Sequence, residues 1–175
     1  TWDEAEGVPP YEKALGTEVA RFASVEGKLN AARRFQRRML LKIGVKDLLG
    51  HDDIETTAAK LADLAEAVTR VVLDNLWEDI SPEAPDDALI SSAATCGFAV
   101  LALGKLGGRE LNYSSDIDLI YVCRDADERW SDFYHTLATR LTEALSSVTA
   151  EGYLYRTDLR LRPDGASGPL VNSLT

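Results

Sequence analysis

The sequence predicts an α+β fold, in which a helical segment precedes a small mixed sheet flanked by helices. Apolar residues recur at intervals of three and four positions over 16–49 and 54–77, which is the spacing of amphipathic helices. Two short apolar runs, at 98–103 and 119–122, are separated by glycines and polar residues, as expected of two buried strands. A hydrophobic content of 45% with 27% charged residues favours a soluble globular protein.

Residues 1–80 form the predicted helical segment. We expect 1–13 to be a loosely ordered entry, because this stretch contains prolines and no sustained period. We also expect Gly27 and Gly44 to break the first helical pattern into two or three pieces. Its apolar stripe consists of Val19, Phe22, Val25, Leu29, Ala32, Phe35, Met39 and Ile43.

The second helix begins after Asp52 and Asp53, which are suited to cap its N-terminus. Its apolar stripe consists of Ile54, Ala58, Leu61, Leu64, Ala65, Val68, Val71, Val72 and Leu76. Residues 81–92, rich in acid, proline and serine, are predicted to be a linker to a catalytic domain at 93–175. Residue 1 is not methionine and the last apolar run, 169–174, resembles a strand cut short, so we expect a piece of a longer chain.

A third helix is predicted over 131–150, with Ser131 or Asp132 as its cap and Gly152 as its end. Its stripe consists of Phe133, Leu137, Ala138, Leu141, Leu145 and Val148.

The first helical pattern also carries a basic tract with no acidic residue between Gly27 and Lys46. Its members are Lys28, Arg33, Arg34, Arg37, Arg38, Lys42 and Lys46. The simpler interpretation is a solvated helix face whose charge is offset by acids elsewhere. The alternative is a docking face for an acidic protein or for phosphate.

The net charge of −10 argues against a general nucleic-acid binder, which needs a basic surface. No apolar run approaches the length of a membrane span and no signal peptide pattern is present, so no membrane partner is expected. Cys96 and Cys123 lack the spacing of a zinc site and fit small buried residues in a reducing cytoplasm.

A glycine turn and a pair of aspartates lie between the two predicted strands. Asp116 and Asp118 point to the same side of the second strand, since side chains alternate along it. Two adjacent carboxylates repel each other, and a hard divalent ion such as Mg²⁺ relieves that repulsion. Upstream, the GKLGG stretch offers backbone amides that can cradle a phosphate, through Gly104, Lys105 and the two glycines at 107–108. The simpler interpretation is a plain turn with two exposed aspartates, but the coupling of the two features favours nucleotidyl transfer.

The stretch 153–162, YLYRTDLRLR, alternates along its length and predicts a strand. If this strand lies beside the Asp116/Asp118 strand, Asp158 becomes a third carboxylate around two metal ions. Arg160 and Arg162 would then bind phosphate oxygens. The alternative is surface ion pairing between Asp158 and its neighbouring arginines.

Two blocks carry a family resemblance: GKLGGRELNYSSDIDLIYV at 104–122 and DLRLRPDGASGPLVNS at 158–173. Together they resemble the bifunctional glutamine synthetase adenylyltransferase/adenylyl-removing enzymes. The resemblance implies a nucleotidyltransferase fold similar to that of DNA polymerase β. It also implies glutamine synthetase as protein partner, ADP or ATP and phosphate as small-molecule partners, and possible contact with a PII-type signalling protein.

The resemblance implies roles for individual residues. Asp116, Asp118 and Asp158 carry over as catalytic, Mg²⁺-binding carboxylates. Contacts to nucleotide or phosphate carry over to Gly107, Gly108, Arg160 and Arg162. From their place around the glycine turn, Gly104, Lys105 and Ser115 are further candidates for such contacts. The alternatives are that Lys105 is turned to solvent and that Ser115 only shapes the loop into the strand.

The two halves of these enzymes run opposite reactions, and the loop NYSSDID resembles the adenylyl-removing half more closely. The expected reaction is therefore phosphorolytic removal of AMP from a tyrosine of glutamine synthetase, giving ADP. The alternatives are adenylylation of glutamine synthetase with ATP, or a regulatory module that binds nucleotide or a PII-type protein without turnover. A nucleotidyltransferase of the antibiotic-modifying kind is less favoured, because the RLRPDGASGPL block gives no reason to expect a small-molecule pocket.

Overall fold

The computed structural model describes residues 11–85, 97–124 and 128–174, and its architecture is α+β. Five α-helices and four strands follow in the described part of the chain. They are α1 (Tyr11–Val19), α2 (Val25–Leu48), α3 (Ile54–Ile80), β1 (Phe98–Leu103), α4 (Gly104–Gly107), β2 (Ile117–Cys123), α5 (Glu128–Ser146), β3 (Thr157–Asp158) and β4 (Val171–Ser173). Short 3₁₀ turns cover Ser81–Glu83 and Gly165–Ser167.

The first helical pattern is interrupted between α1 and α2, not at either predicted glycine. Gly27 lies in the first turn of α2 and Gly44 lies inside it. A helix tolerates an internal glycine at a cost of about 1 kcal/mol, which packing on other helices readily offsets. The break falls where Ser24, in extended conformation, accepts a hydrogen bond from the Gly27 amide and caps α2. The expectation of a loose entry is wrong for Tyr11, which is helical and buried, while 1–10 lie outside the described residues.

Helix α3 follows its sequence pattern closely. Asp53 is the N-cap and accepts a hydrogen bond of 2.7 Å from the Thr56 amide, as predicted. The stripe is buried from Leu61 onward, whereas Ile54 is 83% exposed because the first turn extends beyond the packed surface. The helix continues to Ile80, and of the predicted linker only 81–85 lie within the described residues.

The sheet is mixed, as predicted, and β2 is its central strand. β1 is antiparallel to β2, with Leu103 opposite Asp118. β3 and β4 are both parallel to β2, on its other side and at opposite ends of it. Helix α5 packs on the sheet, and the Tyr121 hydroxyl lies 2.9 Å from the Thr142 hydroxyl of α5.

One hydrophobic core extends from the helical segment into the sheet. Trp77 of α3 packs edge-on against Phe133 of α5, with ring centroids 5.5 Å apart. Among the most deeply buried core side chains are Leu64 and Val68 of α3 and Tyr121 of β2. The division into a helical segment and a catalytic domain stays a prediction, and the two parts share this core.

The predicted strand over 153–162 is wrong for most of its length, because only Thr157 and Asp158 pair with the sheet. Leu154 and Tyr155 are consecutive and both buried, so the alternation does not describe their environment. The amides of both residues donate to the Leu145 carbonyl oxygen, at 3.0 and 2.9 Å.

Those two hydrogen bonds also limit α5. The helix spans Glu128–Ser146 instead of 131–150, because the Leu145 carbonyl accepts from a distant segment and not from the next helical turn. The predicted cap at Ser131 or Asp132 is therefore wrong, and Val148 is 81% exposed beyond the helix. Gly152 adopts a φ of 84° in the turn that follows and does not end the helix.

Cys123 is buried at the end of β2, as expected, while Cys96 lies outside the described residues. None of the helices in the described part of the chain is long and apolar enough to cross a membrane.

Candidate active site

Two aspartates lie where β2 begins. Asp116 immediately precedes β2 and is exposed, and Asp118 is half-buried within it. Ile117 and Leu119 are almost completely buried on the opposite face. Because side chains alternate along a strand, both carboxylates point away from the core.

The third aspartate lies on the neighbouring strand. Asp158 is paired with Asp118 in the parallel ladder between β3 and β2, and Thr157 is paired with Ile117. The Ile117 amide donates to the Arg156 carbonyl oxygen at 2.9 Å, which extends the pairing by one residue. The two strands are therefore neighbours, which is the condition under which Asp158 was expected to join the pair.

The GKLGG stretch forms the single helical turn α4, which packs against the aspartates. Gly104 has a φ of +52°, and a Cβ built there would lie 2.1 Å from Oδ2 of Asp118. A Cβ on Gly107 would lie 2.5 Å from the Ala102 carbonyl oxygen. Glycine is therefore required at both positions, at Gly104 because the backbone approaches the Asp118 carboxylate.

Three further residues that the sequence suggests as phosphate contacts lie in and after this turn: Lys105, Gly108 and Ser115. The Gly108 amide donates to the Gly104 carbonyl oxygen at 2.9 Å, so it is engaged inside the turn. Lys105 is exposed. The Ser115 hydroxyl donates to Oδ1 of Asn112 at 2.6 Å, which closes the loop that leads into β2.

Two arginines hold two of the three carboxylates. Arg156 Nε donates to Oδ1 of Asp116 at 2.5 Å, and its Nη2 donates to the Ser114 carbonyl oxygen at 2.6 Å. Arg160 Nε lies 3.0 and 2.9 Å from the two oxygens of Asp158, and its Nη2 lies 2.5 Å from Oδ2. The Arg160 amide also donates to Oδ1 of Asp158 at 2.8 Å.

These contacts shift the acid–base properties of the groups. Hydrogen bonds from the Arg160 side chain and amide lower the pKa of Asp158 to about 2. The same hydrogen bond raises the pKa of Arg160, and the charges of Asp116 and Asp118 act on it in the same direction. A hydrogen bond to Asp116 likewise raises the pKa of Arg156. Arg160 therefore lies within the field of all three aspartates.

Arg162 lies beyond the end of β3. Its Nη1 donates to the Leu159 carbonyl oxygen at 2.8 Å, within the turn that follows β3. That turn continues through Asp164, which has a φ of 59°. The predicted pairing of Arg160 and Arg162 on one strand face is therefore wrong, because the strand ends at Asp158.

The donor chemistry of the site suits a hard divalent cation such as Mg²⁺, which prefers oxygen ligands. Three carboxylates occupy adjacent positions on two paired strands, and the backbone of Gly104 lies close to the Asp118 carboxylate. Within the described ranges, however, no three acidic, histidine or cysteine side chains converge closely enough to hold one ion. Asp116 and Asp158 are instead ion-paired with Arg156 and Arg160. The positions of the three aspartates on the two strands fit a metal site. The side chains of Asp116 and Asp158 are oriented toward Arg156 and Arg160.

Sequence reasoning missed the contact between Arg156 and Asp116. The alternating pattern placed Arg156 on the face of Asp158, and no local signal shows which residue lies opposite it on β2. It also missed two contacts that fix the loop before β2 to the helices. Arg109 pairs with Asp63 of α3 at 2.5 Å, and the Tyr113 hydroxyl donates to Oδ2 of Asp47 at 2.9 Å.

The basic tract on α2 is engaged mainly with acids and carbonyl groups of other elements. Its ion pairs in the described structure include Lys28–Glu78, Arg34–Glu151, Arg37–Glu151 and Arg38–Glu18. Arg33 is 3% exposed and donates to the Ala144 carbonyl oxygen at 3.3 Å. These contacts support the interpretation of basic side chains offset by acids elsewhere.

Comparison with known proteins gives the family. The family model described as "Glutamate-ammonia ligase adenylyltransferase" matches residues 2–175. Proteins named "Bifunctional glutamine synthetase adenylyltransferase/adenylyl-removing enzyme" are similar to the chain. The one from Chromobacterium violaceum is 38% identical over 168 residues, which is 95% of this chain and 18% of that protein. The one from Neisseria meningitidis serogroup B is 40% identical over 149 residues, covering 85% of this chain and 16% of that protein.

A third relative with the same name, from Burkholderia mallei, is 36% identical over 166 residues and is matched over 17% of its length. The chain thus spans less than a fifth of the length of these relatives. The match nevertheless covers nearly the whole of the present chain, including both motif blocks. The chain therefore belongs to the glutamate-ammonia ligase adenylyltransferase family.

Proposed function

We propose that this chain carries a Mg²⁺-dependent nucleotidyl-transfer site, in a fold similar to DNA polymerase β, that acts on glutamine synthetase. The observation that supports it most strongly is the pairing of Asp118 with Asp158, with Asp116 two residues earlier on the same face. The relatives are named as enzymes that transfer an adenylyl group to glutamine synthetase and remove it. Those names supply the substrate class of the proposal.

In this proposal Asp116, Asp118 and Asp158 hold the divalent ion. The ion supplies charge neutralisation for the phosphoryl group in an in-line displacement at phosphorus. Gly104 allows the α4 turn to lie directly against Asp118, which restricts the movement of that carboxylate. Arg160, which is exposed and close to all three acids, binds phosphate oxygens through its planar fork.

The proposed reaction is removal of AMP from an adenylylated tyrosine. A phosphate oxygen attacks the phosphorus of the AMP group, the bond between phosphorus and the tyrosine oxygen breaks, and ADP leaves. The tyrosine oxygen takes up a proton. The direction rests on the NYSSDID loop at 112–118, which resembles the adenylyl-removing half.

The test is to incubate the chain with adenylylated glutamine synthetase, Mg²⁺ and phosphate, and to measure ADP. A parallel reaction with unmodified synthetase and ATP measures pyrophosphate and tests the opposite direction. Asp118→Asn should abolish turnover while the thermal unfolding transition stays unchanged, because the substitution removes a charge from a half-buried site without changing its volume. Arg140→Gln, which breaks an exposed ion pair with Asp79 on the helical side of the molecule, is the matched control and should remain active.

Three outcomes would count against the proposal. ADP formation by Asp118→Asn at the wild-type rate would reject the carboxylate assignment. Pyrophosphate release in the second reaction, without ADP release in the first, would reverse the direction. Nucleotide binding without turnover in either reaction would favour a regulatory module.

A further inference from the structure

The two arginine contacts in the site have a consequence for metal binding, because they use the same oxygens that a metal would need. Arg156 occupies Oδ1 of Asp116 and Arg160 occupies both oxygens of Asp158. In contrast, no residue of the described ranges donates a hydrogen bond to the Asp118 carboxylate, which packs against Gly104. One acid is therefore accessible to an ion and two are held by guanidinium groups.

The exposures bear on how much packing each arginine would lose by leaving its aspartate. The Arg160 side chain is 82% exposed, whereas the Asp158 side chain is only 16% exposed. The Arg156 side chain is 58% exposed, and its partner Asp116 is 49% exposed at the start of β2. An arginine that is mostly in solvent loses little packing when it rotates away, whereas Asp158 is fixed by the sheet.

The ion pairs of Arg156 with Asp116 and of Arg160 with Asp158 offset negative charge in the site. Three carboxylates on adjacent positions repel one another, and nearby cations relieve that repulsion. Two guanidinium groups provide that compensation without filling the position beside Asp118. A divalent ion that binds Asp118 first would compete with both guanidinium groups for the remaining carboxylates.

We propose that Arg156 and Arg160 are exchangeable counter-cations of the site, which release Asp116 and Asp158 when a divalent ion binds and then turn to the phosphate groups of the substrate. This inference rests on the proposed function. Before the ion binds, Arg156 joins Asp116 to the Ser114 carbonyl group. The alternative is that both pairs are permanent surface ion pairs that stabilise the loop around β3.

The first test measures the affinity of the 175-residue chain for Mn²⁺, from the electron paramagnetic resonance signal of the free ion. Arg156→Gln and Arg160→Gln should each tighten Mn²⁺ binding by about fivefold, because an exposed ion pair no longer competes with the metal for the carboxylate. Arg140→Gln removes the same charge from an exposed pair elsewhere and should leave the affinity unchanged. Asp118→Asn should abolish binding in every background.

The second test observes the arginines directly. Titration of Mg²⁺ into the wild-type chain should shift the Nε–H resonances of Arg156 and Arg160, and that of Arg140 should stay in place. The two shifts should disappear in Asp118→Asn. Permanent ion pairs would leave all three resonances unmoved while Mg²⁺ binds.

The outcomes separate this inference from the function on which it rests. Mn²⁺ binding that depends on Asp118, with equal affinities in Arg156→Gln, Arg160→Gln and Arg140→Gln, would overturn the exchange and leave the proposed function intact. Absence of Mn²⁺ binding in the wild type and in both arginine variants would overturn the proposed function as well.

Discussion

Gly104→Ala tests whether the α4 turn must approach the aspartates closely. The added Cβ would lie 2.1 Å from Oδ2 and 3.1 Å from Cγ of Asp118. The carboxylate must therefore retreat by roughly 1 Å or more to restore ordinary contact. Alanine is also strained at this position, because Gly104 has a φ of +52°.

Two magnitudes follow from this geometry. The left-handed conformation costs an alanine about 1–2 kcal/mol, so the free energy of unfolding should fall by that amount. A misplacement of ~1 Å at a reacting centre can cost about 100-fold in rate. The turnover rate should therefore fall steeply, while the chain still folds. Mn²⁺ affinity should fall with it, since Asp118 is the carboxylate that moves.

The assay combines denaturant unfolding with Mn²⁺ binding. Gly16→Ala is the matched control, because Gly16 lies within α1 and a Cβ there meets nothing within 4 Å. That substitution should stabilise the chain by about 0.5–1 kcal/mol and leave Mn²⁺ binding unchanged. If Gly104→Ala kept wild-type stability and Mn²⁺ affinity, the close approach of α4 to Asp118 would be refuted.

Two further predictions concern the charge on Asp158 and the core. The Asp158 carboxyl should titrate with a pKa of about 2 in carbon-detected NMR, and Arg160→Gln should raise that pKa toward the ordinary value near ~3.9. Because the folded pKa of Asp158 is depressed, the stability that this ion pair contributes is present above pH ~4 and is lost as the pH falls toward 2. An unchanged Asp158 pKa in Arg160→Gln would contradict the assignment of the shift to Arg160. Leu141→Ala removes a fully buried side chain of α5 and should lower the free energy of unfolding by about 2–5 kcal/mol, whereas the same change at Leu48, which is 88% exposed, should cost less than ~0.5 kcal/mol.

Elements that are specified by local pattern could be predicted from the sequence. The apolar period of α3 and its aspartate cap are local signals, and so are the apolar runs of β1 and β2. The start of α5 was missed because 124–130 are rich in charge. There Trp130 packs within the helix on Phe133 and Tyr134, three and four residues further along, at 5.6 and 5.4 Å.

The stretch 153–162 shows the limit of alternation as a signal. Its pattern is typical of a strand, yet Leu154 and Tyr155 pair with the end of α5, a contact that no local pattern encodes. Only Thr157 and Asp158 remain in the sheet. The condition that Asp158 lies beside β2 is nevertheless met, because Asp158 belongs to the short part that does pair.

In the site, the residue types could be predicted and their orientations could not. The aspartates of β2 share a face because strands alternate, which is a local rule. Whether a carboxylate turns to a metal position or to an arginine depends on what lies across the sheet, and the pairing of Asp116 with Arg156 joins residues 40 positions apart.

The central claim is that Asp116, Asp118 and Asp158 bind one divalent-ion centre. The most direct measurement is an anomalous difference map from crystals of the chain soaked in Mn²⁺. We expect a peak within bonding distance of carboxylate oxygens from both β2 and β3, with Arg156 and Arg160 turned away from those oxygens. A map with no peak there, or with Mn²⁺ bound at another group of residues while both ion pairs stay intact, would contradict the account.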